Sequence, residues 1–196
     1  MASHSVISPL EPMSKESLIA QTEKDMFKAL EEMKSTLTDQ VFMEIDIHDV
    51  IKTVAEGIEK NKIADTEVVP ILWDALMDTI LYIDGREDPV LIEWLVWQRV
   101  LSWSQLLSVF CITEECELEL LKQVHRRSIK EQRLQGSFEE VVDILYTNDV
   151  LTARTIHNWF YYHISEVDRE EAFVKDLKPV VDSMEKKMLE LALPRA

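Results

Sequence analysis

Glycine is close to absent from this sequence, and that scarcity constrains the fold more than any other feature. Gly57, Gly85 and Gly136 are the only three glycines in 196 residues. A sandwich or barrel of short strands needs a turn roughly every 8–12 residues, and tight hairpin turns draw on glycine for positive φ. Long helices joined by short connections need few such positions. The chain is therefore read as all-α. Its hydrophobic content of 46% over this length is enough for one domain with a sizeable core and an arm or tail.

Residues 1–13 are Ser- and Pro-rich and are expected to be disordered. Beyond them, Ile19, Met26 and Met33 recur every seven residues, as do Leu30 and Leu37, which makes a narrow helical stripe. Residues 14–40 are expected to form an amphipathic helix flanking a helical domain over 41–190, with a short tail at 191–196. The helical pattern resumes near Asp49. Asp65 or Thr66 is the expected N-cap of the next helix, with Pro70 tolerated or bending the chain near its start. The stretch DGREDP (84–89) marks a turn, and Pro89 after Asp88 opens another helix. That run, to Phe110, is expected to bend near Ser102 or Ser104. Further cap signals stand at Thr113, at Ser137 with Glu140, at Thr152, and at Ser165 with Asp168. Pro179 is expected to kink the last helix. Seven to nine helices with short connections imply a HEAT-like stack of antiparallel helical hairpins, a globular bundle being the alternative.

The formal net charge is −16. Such a surface repels nucleic-acid phosphate and anionic lipid and attracts basic protein segments. The most apolar run, from Pro89 to Ile112, is long enough for a bilayer, but Glu93, Gln98 and Arg99 interrupt it, so it is read as buried helix. With no leader-like apolar run at the start and no paired CxxC, Cys111 and Cys116 suit a reducing cytoplasm.

Nothing supports an enzyme. His4, His48, His125, His157 and His163 form no HExxH, no nucleophilic triad and no metal spacing. Three scattered glycines leave no phosphate-cradling loop, so no cofactor is expected. Lys122, Arg126, Arg127, Lys130 and Arg133 are the only basic cluster, read as a solvated helix face rather than an RNA site. Trp73, Trp94, Trp97 and Trp103 lie in apolar helices and are expected in the core.

The corner from Asp143 to Phe160 is different. Trp159, Phe160, Tyr161 and Tyr162 are consecutive and cannot all face one core. Glu139, Glu140, Asp143 and Asp149 stand just upstream, with no basic residue between Arg133 and Arg154. Carboxylates beside aromatic rings make a receptor for lysine-rich segments, since the rings pack on methylene stems and attract the ammonium.

The stretch LYTNDVLTARTIHNWF (Leu145 to Phe160) resembles the first aromatic/acidic box of the W2 domain. That domain forms the C-terminal part of translation initiation factor 5, of the epsilon subunit of initiation factor 2B, and of the factor-5-mimic (basic leucine zipper and W2) proteins. Leu145, Tyr146, Asp149, Val150, Leu151, Ile156, Trp159 and Phe160 carry the likeness. His48 to Ile80 is similar to the opening helices of the mimic proteins. Two departures stand out. Ala153 and Arg154 occupy positions where family members have glutamates, and the second box is absent, with Met184 near the place of its tryptophan.

The resemblance implies a HEAT-like, non-enzymatic adaptor in translation initiation. It would bind lysine-rich segments of the initiation factor 2 beta subunit and contact other initiation factors, in the cytoplasm, without DNA or membrane. Glu139, Glu140, Asp143 and Asp149 are expected to supply charge, with Tyr146, Trp159 and Phe160 shaping the corner. Glu166, Asp168, Glu170 and Glu171 are candidates to replace the lost acid. Guanine-nucleotide exchange, as implied by the epsilon-subunit members, is the first alternative, with Glu44 the candidate acid. A helical-repeat scaffold unrelated to translation is the second.

Overall fold

The computed structural model describes residues 15–81 and 88–192. The expectations for residues 1–13, for most of the turn at 84–89 and for the last four residues lie outside these. The helices are α1 (Lys15–Phe42), α2 (Ile47–Asn61), α3 (Asp65–Leu81), α4 (Pro89–Phe110), α5 (Glu114–Lys130), α6 (Phe138–Thr147), α7 (Ala153–Asn158), α8 (Glu166–Arg169), α9 (Ala172–Lys175) and α10 (Lys178–Ala192). A 3-10 turn over Gln132–Ser137 precedes α6, and a π turn over Trp159–His163 follows α7. No strand occurs among the described residues.

Two layers of helices make the stack. In one, α1 packs on α3, α3 on α5, α5 on α7, and α7 on α10. In the other, α2 packs on α4 and α4 on α6, while α1 with α2 and α3 with α4 make hairpins across the layers. The arrangement is an all-α, HEAT-like stack of helical hairpins. Its most enclosed element is α3, where every residue from Leu72 to Ile80 except Asp74 is buried. No described helix is long and apolar enough to cross a membrane.

Helix ends follow the sequence where a polar residue meets extended backbone. Asp88 accepts the Val90 N–H at 3.0 Å with Pro89 behind it, and Thr113 accepts from Cys116 at 3.2 Å. Elsewhere the chain differs from expectation. The first carbonyl of α3 belongs to Ala64, which accepts from Val68, and Glu67 reaches back to the Ala64 N–H at 3.3 Å. The expected caps Asp65 and Thr66 are already inside the helix. α4 is one continuous helix through Ser102 and Ser104, and the Ser104 hydroxyl bonds the Leu101 carbonyl at 3.0 Å within it. Pro179 falls at the start of α10, where a missing N–H costs nothing, and helix breaks over residues 170–171 and 176–177 come before it.

α1 matches the expected helix closely and ends at Phe42, two residues beyond the expected end at 40. Met33, Leu37 and Val41 on its C-terminal half join the core, whereas Ile19 and Phe27 are exposed. Between α1, α3 and α5 sits a buried ion cluster. Asp78, 3% exposed, takes the Lys34 ammonium at 2.8 Å and a hydrogen bond from the Arg127 guanidinium. Gln123 donates to Asp74 at 2.9 Å beside it. Burial works against the Lys34 charge, but Asp78 and then Asp74 outweigh it and hold its pKa above the usual value. The basic cluster is thus partly spent inside the fold, because Arg127 faces α3 and Lys122 bonds Glu119 at 2.7 Å.

Candidate functional site

The acid comes from α6 and the turn after it. Ser137 arrives from the 3-10 turn with φ −93 and ψ −3 and makes no capping bond. A capping serine needs extended backbone, so the expected box with Glu140 does not form. Glu139, Glu140 and Asp143, three and four residues apart, share one exposed face of α6. Their carboxylates bond to no described residue. After Thr147 the chain closes a left-handed cap. Asp149 has φ 57, the Asp149 N–H bonds the Tyr146 carbonyl at 3.2 Å, and the Val150 N–H bonds Leu145 at 2.9 Å. The Asp149 carboxylate is thereby held outward at the end of the same helix.

Beneath this edge lies an aromatic floor. Trp159 and Phe160 are 1% and 2% exposed. The Trp159 ring stands 5.4 Å from His125 and 6.0 Å from Phe138, and Phe138 meets Phe173 edge-on at 5.1 Å. Arg169 lies over Phe160 at 5.8 Å and donates to the Tyr161 carbonyl at 3.0 Å. Tyr161 is half-buried under α10, where its hydroxyl donates to Asp182 at 2.9 Å, while Tyr162 is exposed. Trp159 and Phe160 are therefore support for the corner rather than a surface for a ligand. Tyr146, half-buried, is the one aromatic of the expected set that reaches solvent.

The charges near the altered positions are modest. Exposed Arg154 lies 3.8 Å from Glu114 on α5. Glu170 pairs with Lys175 at 2.6 Å, whereas Glu166 and Glu171 are exposed and Asp168 is half-buried. Met184 is buried and fills part of the core.

One feature escaped the sequence. Trp94 and Trp97, expected in the core, are 53% and 38% exposed. α4 is apolar nearly all round, so its periodicity shows two candidate stripes. Ile92, Val96, Val100, Trp103 and Leu107 face the core, while Val90, Trp94, Trp97 and Leu101 face out. Glu140 on α6 joins Val90, Glu93, Trp94 and Trp97 around a groove of about 450 Å3. The acidic edge therefore continues into an exposed aromatic surface, supplied by α4.

Cys111 and Cys116 are free and buried, and burial pushes the Cys111 thiol up, away from a reactive thiolate. No group of metal-ligating residues occurs among those described. Glu44, with φ 53, lines a hollow of about 330 Å3 with Gln98, Arg99 and Trp103 on the far side of α4.

Fold and site together define a class: an all-α stack of helical hairpins presenting unpaired carboxylates on one helix above a buried aromatic floor. Curated relatives of this chain include eIF5-mimic proteins. It is 25% identical to eIF5-mimic protein 1 of Homo sapiens over 151 residues, which cover 77% of this chain and 35% of that protein. To eIF5-mimic protein 2 of Gallus gallus it is 23% identical over 155 residues, 79% of this chain and 36% of the relative. The chain thus spans about a third of the length of the curated relatives it matches. No family model matches it.

Proposed function

We propose that the chain is a W2-type, non-enzymatic adaptor of translation initiation that receives lysine-rich protein segments. The beta subunit of initiation factor 2 is the foremost partner, other initiation factors follow, and the setting is the cytoplasm. One observation carries the reading. Glu139, Glu140, Asp143 and Asp149 are exposed and unpaired along a single helix and its cap, above a buried aromatic floor. Clustered, unpaired carboxylates attract ammonium groups without first breaking bonds of their own. The similarity to eIF5-mimic proteins supplies the biological setting.

The test is a titration of the chain against a lysine-rich peptide of the initiation factor 2 beta subunit over a range of salt. Binding that weakens steeply with salt, and further when Glu139, Glu140 and Asp143 become lysine in a folded protein, supports the reading. No binding at low salt overturns it.

Guanine-nucleotide exchange is the second reading, favoured by Glu44, which stands exposed in left-handed backbone beside the hollow bounded by Arg99. Acceleration of nucleotide release from initiation factor 2, abolished by Glu44→Ala, would establish it. An adaptor shows no acceleration.

A further inference from the structure

We infer that the α4–α6 groove is the seat of a basic segment, whose lysine or arginine side chains lie over Trp94 and Trp97 with their charges toward Glu93 and Glu140. This rests on the reading of the chain as a receptor for basic segments and names where the aromatic half of that contact is made.

The expected aromatics of the corner, Trp159 and Phe160, are closed off from any partner. The exposed indoles belong to α4 instead. Val90, Trp94, Trp97 and Leu101 follow one another at helical spacing, and all are at least 38% exposed. An exposed apolar stripe of this kind, opposite the face of α4 that enters the core, is a docking face. Charge complementarity fixes its occupant. Glu93 and Glu140 flank the indoles, one from each helix, and neither carboxylate bonds to a described residue. The Glu93 carboxylate lies close against Gly136, where an added Cβ would stand 2.2 Å from Oε1. An acidic rim around indole faces suits a cation on an aliphatic stem: the ring takes the stem and the charge, and the carboxylates take the N–H donors. The groove, about 450 Å3, has room for such side chains. Glu140 serves both surfaces, so the acidic edge of α6 guides the segment and the tryptophans hold it.

The experiment measures fluorescence anisotropy of labelled oligolysine against the full chain, the Trp94→Ala/Trp97→Ala variant, a Trp94→Phe/Trp97→Phe variant and the Glu139→Lys/Asp143→Lys variant. Both tryptophans are exposed, so the folded state should survive, as a thermal melt would show. The expected result is a loss of about tenfold in affinity for the alanine pair, mostly restored by phenylalanine, with the salt dependence unchanged. Unchanged affinity in the alanine pair, with loss in the lysine pair, overturns the groove and leaves the adaptor reading standing. A wild-type chain that ignores oligolysine at low salt overturns both. Self-association of the wild type that the alanine pair abolishes assigns the face to a second copy and overturns the inference.

Discussion

Glu117 on α5 accepts both the backbone N–H and the hydroxyl of Thr152, at 2.7 and 2.8 Å across 35 residues of sequence. Thr152 in turn accepts the Thr155 N–H at 3.2 Å and so caps α7. A buried carboxylate of one layer thus fixes the point at which the chain turns from the acidic edge into the aromatic floor.

Replacing Glu117 by glutamine should loosen that point. A neutral amide oxygen would replace the charged Oε2 that accepts both bonds, so a cost of about 1–2 kcal/mol is expected. Urea unfolding measures the total, and hydrogen exchange should speed most at residues 149–156.

Asp149 separates binding from stability. It holds left-handed backbone that glycine adopts without a steric penalty. Asp149→Gly should leave stability unchanged or raise it by up to about 1 kcal/mol, while affinity for a lysine-rich peptide falls because a carboxylate is lost. Parallel melts and titrations read both. A fall in stability would mean that the side chain, not the backbone, shapes the cap.

Trp159→Ala should cost about 3–5 kcal/mol, since it empties the floor shared with His125 and Phe138. Its binding defect should vanish at a temperature where the variant is folded. Glu139→Lys with Asp143→Lys should show the opposite pattern, normal melting and weak binding.

Asp78→Asn should destabilise by about 2–3 kcal/mol. It leaves Arg127 and Lys34 facing each other without the carboxylate that joins them, although Asp74 remains 3.5 Å from Arg127. Chemical denaturation compares the variant with wild type. An unchanged midpoint would show that the cluster orders α1, α3 and α5 without stabilising them.

His125 predicts a pH dependence. Burial among Phe138, Trp159 and Phe173 lowers its pKa, with Arg126 acting in the same direction and Asp168 and Glu171 opposing. The unfolded imidazole binds a proton near about pH 6.5, where the folded one does not. Stability from this group is therefore complete above about pH 6.5 and falls as pH drops through the window below it. Melts between about pH 7.5 and 5.5 should show a decline that is smaller in His125→Leu.

Much of the fold was legible because helix signals are local. The caps at Asp88, Thr113, Thr152 and Ser165 needed only a polar side chain and extended backbone, both readable within four residues. Ser137 failed as a cap because the preceding 3-10 turn set its backbone first. The acid of α6 was also legible, since a run of carboxylates without nearby cations cannot be buried. What the aromatics do was not. Trp159 and Trp94 look alike in sequence, each a tryptophan in an apolar helical segment, yet one is sealed and the other half open.

By itself, then, the sequence determined an all-α chain of short-looped helices, with an acidic edge on the helix before Trp159. Sparse glycine and helical periodicity act within a few residues and admit few alternatives. The tertiary structure alone decided which tryptophans meet solvent, which arginine is consumed by Asp78, and that the edge of α6 adjoins an indole-lined groove from α4. Those outcomes depend on which stripe of each helix a distant neighbour covers, and a helix apolar on both sides carries no record of that choice.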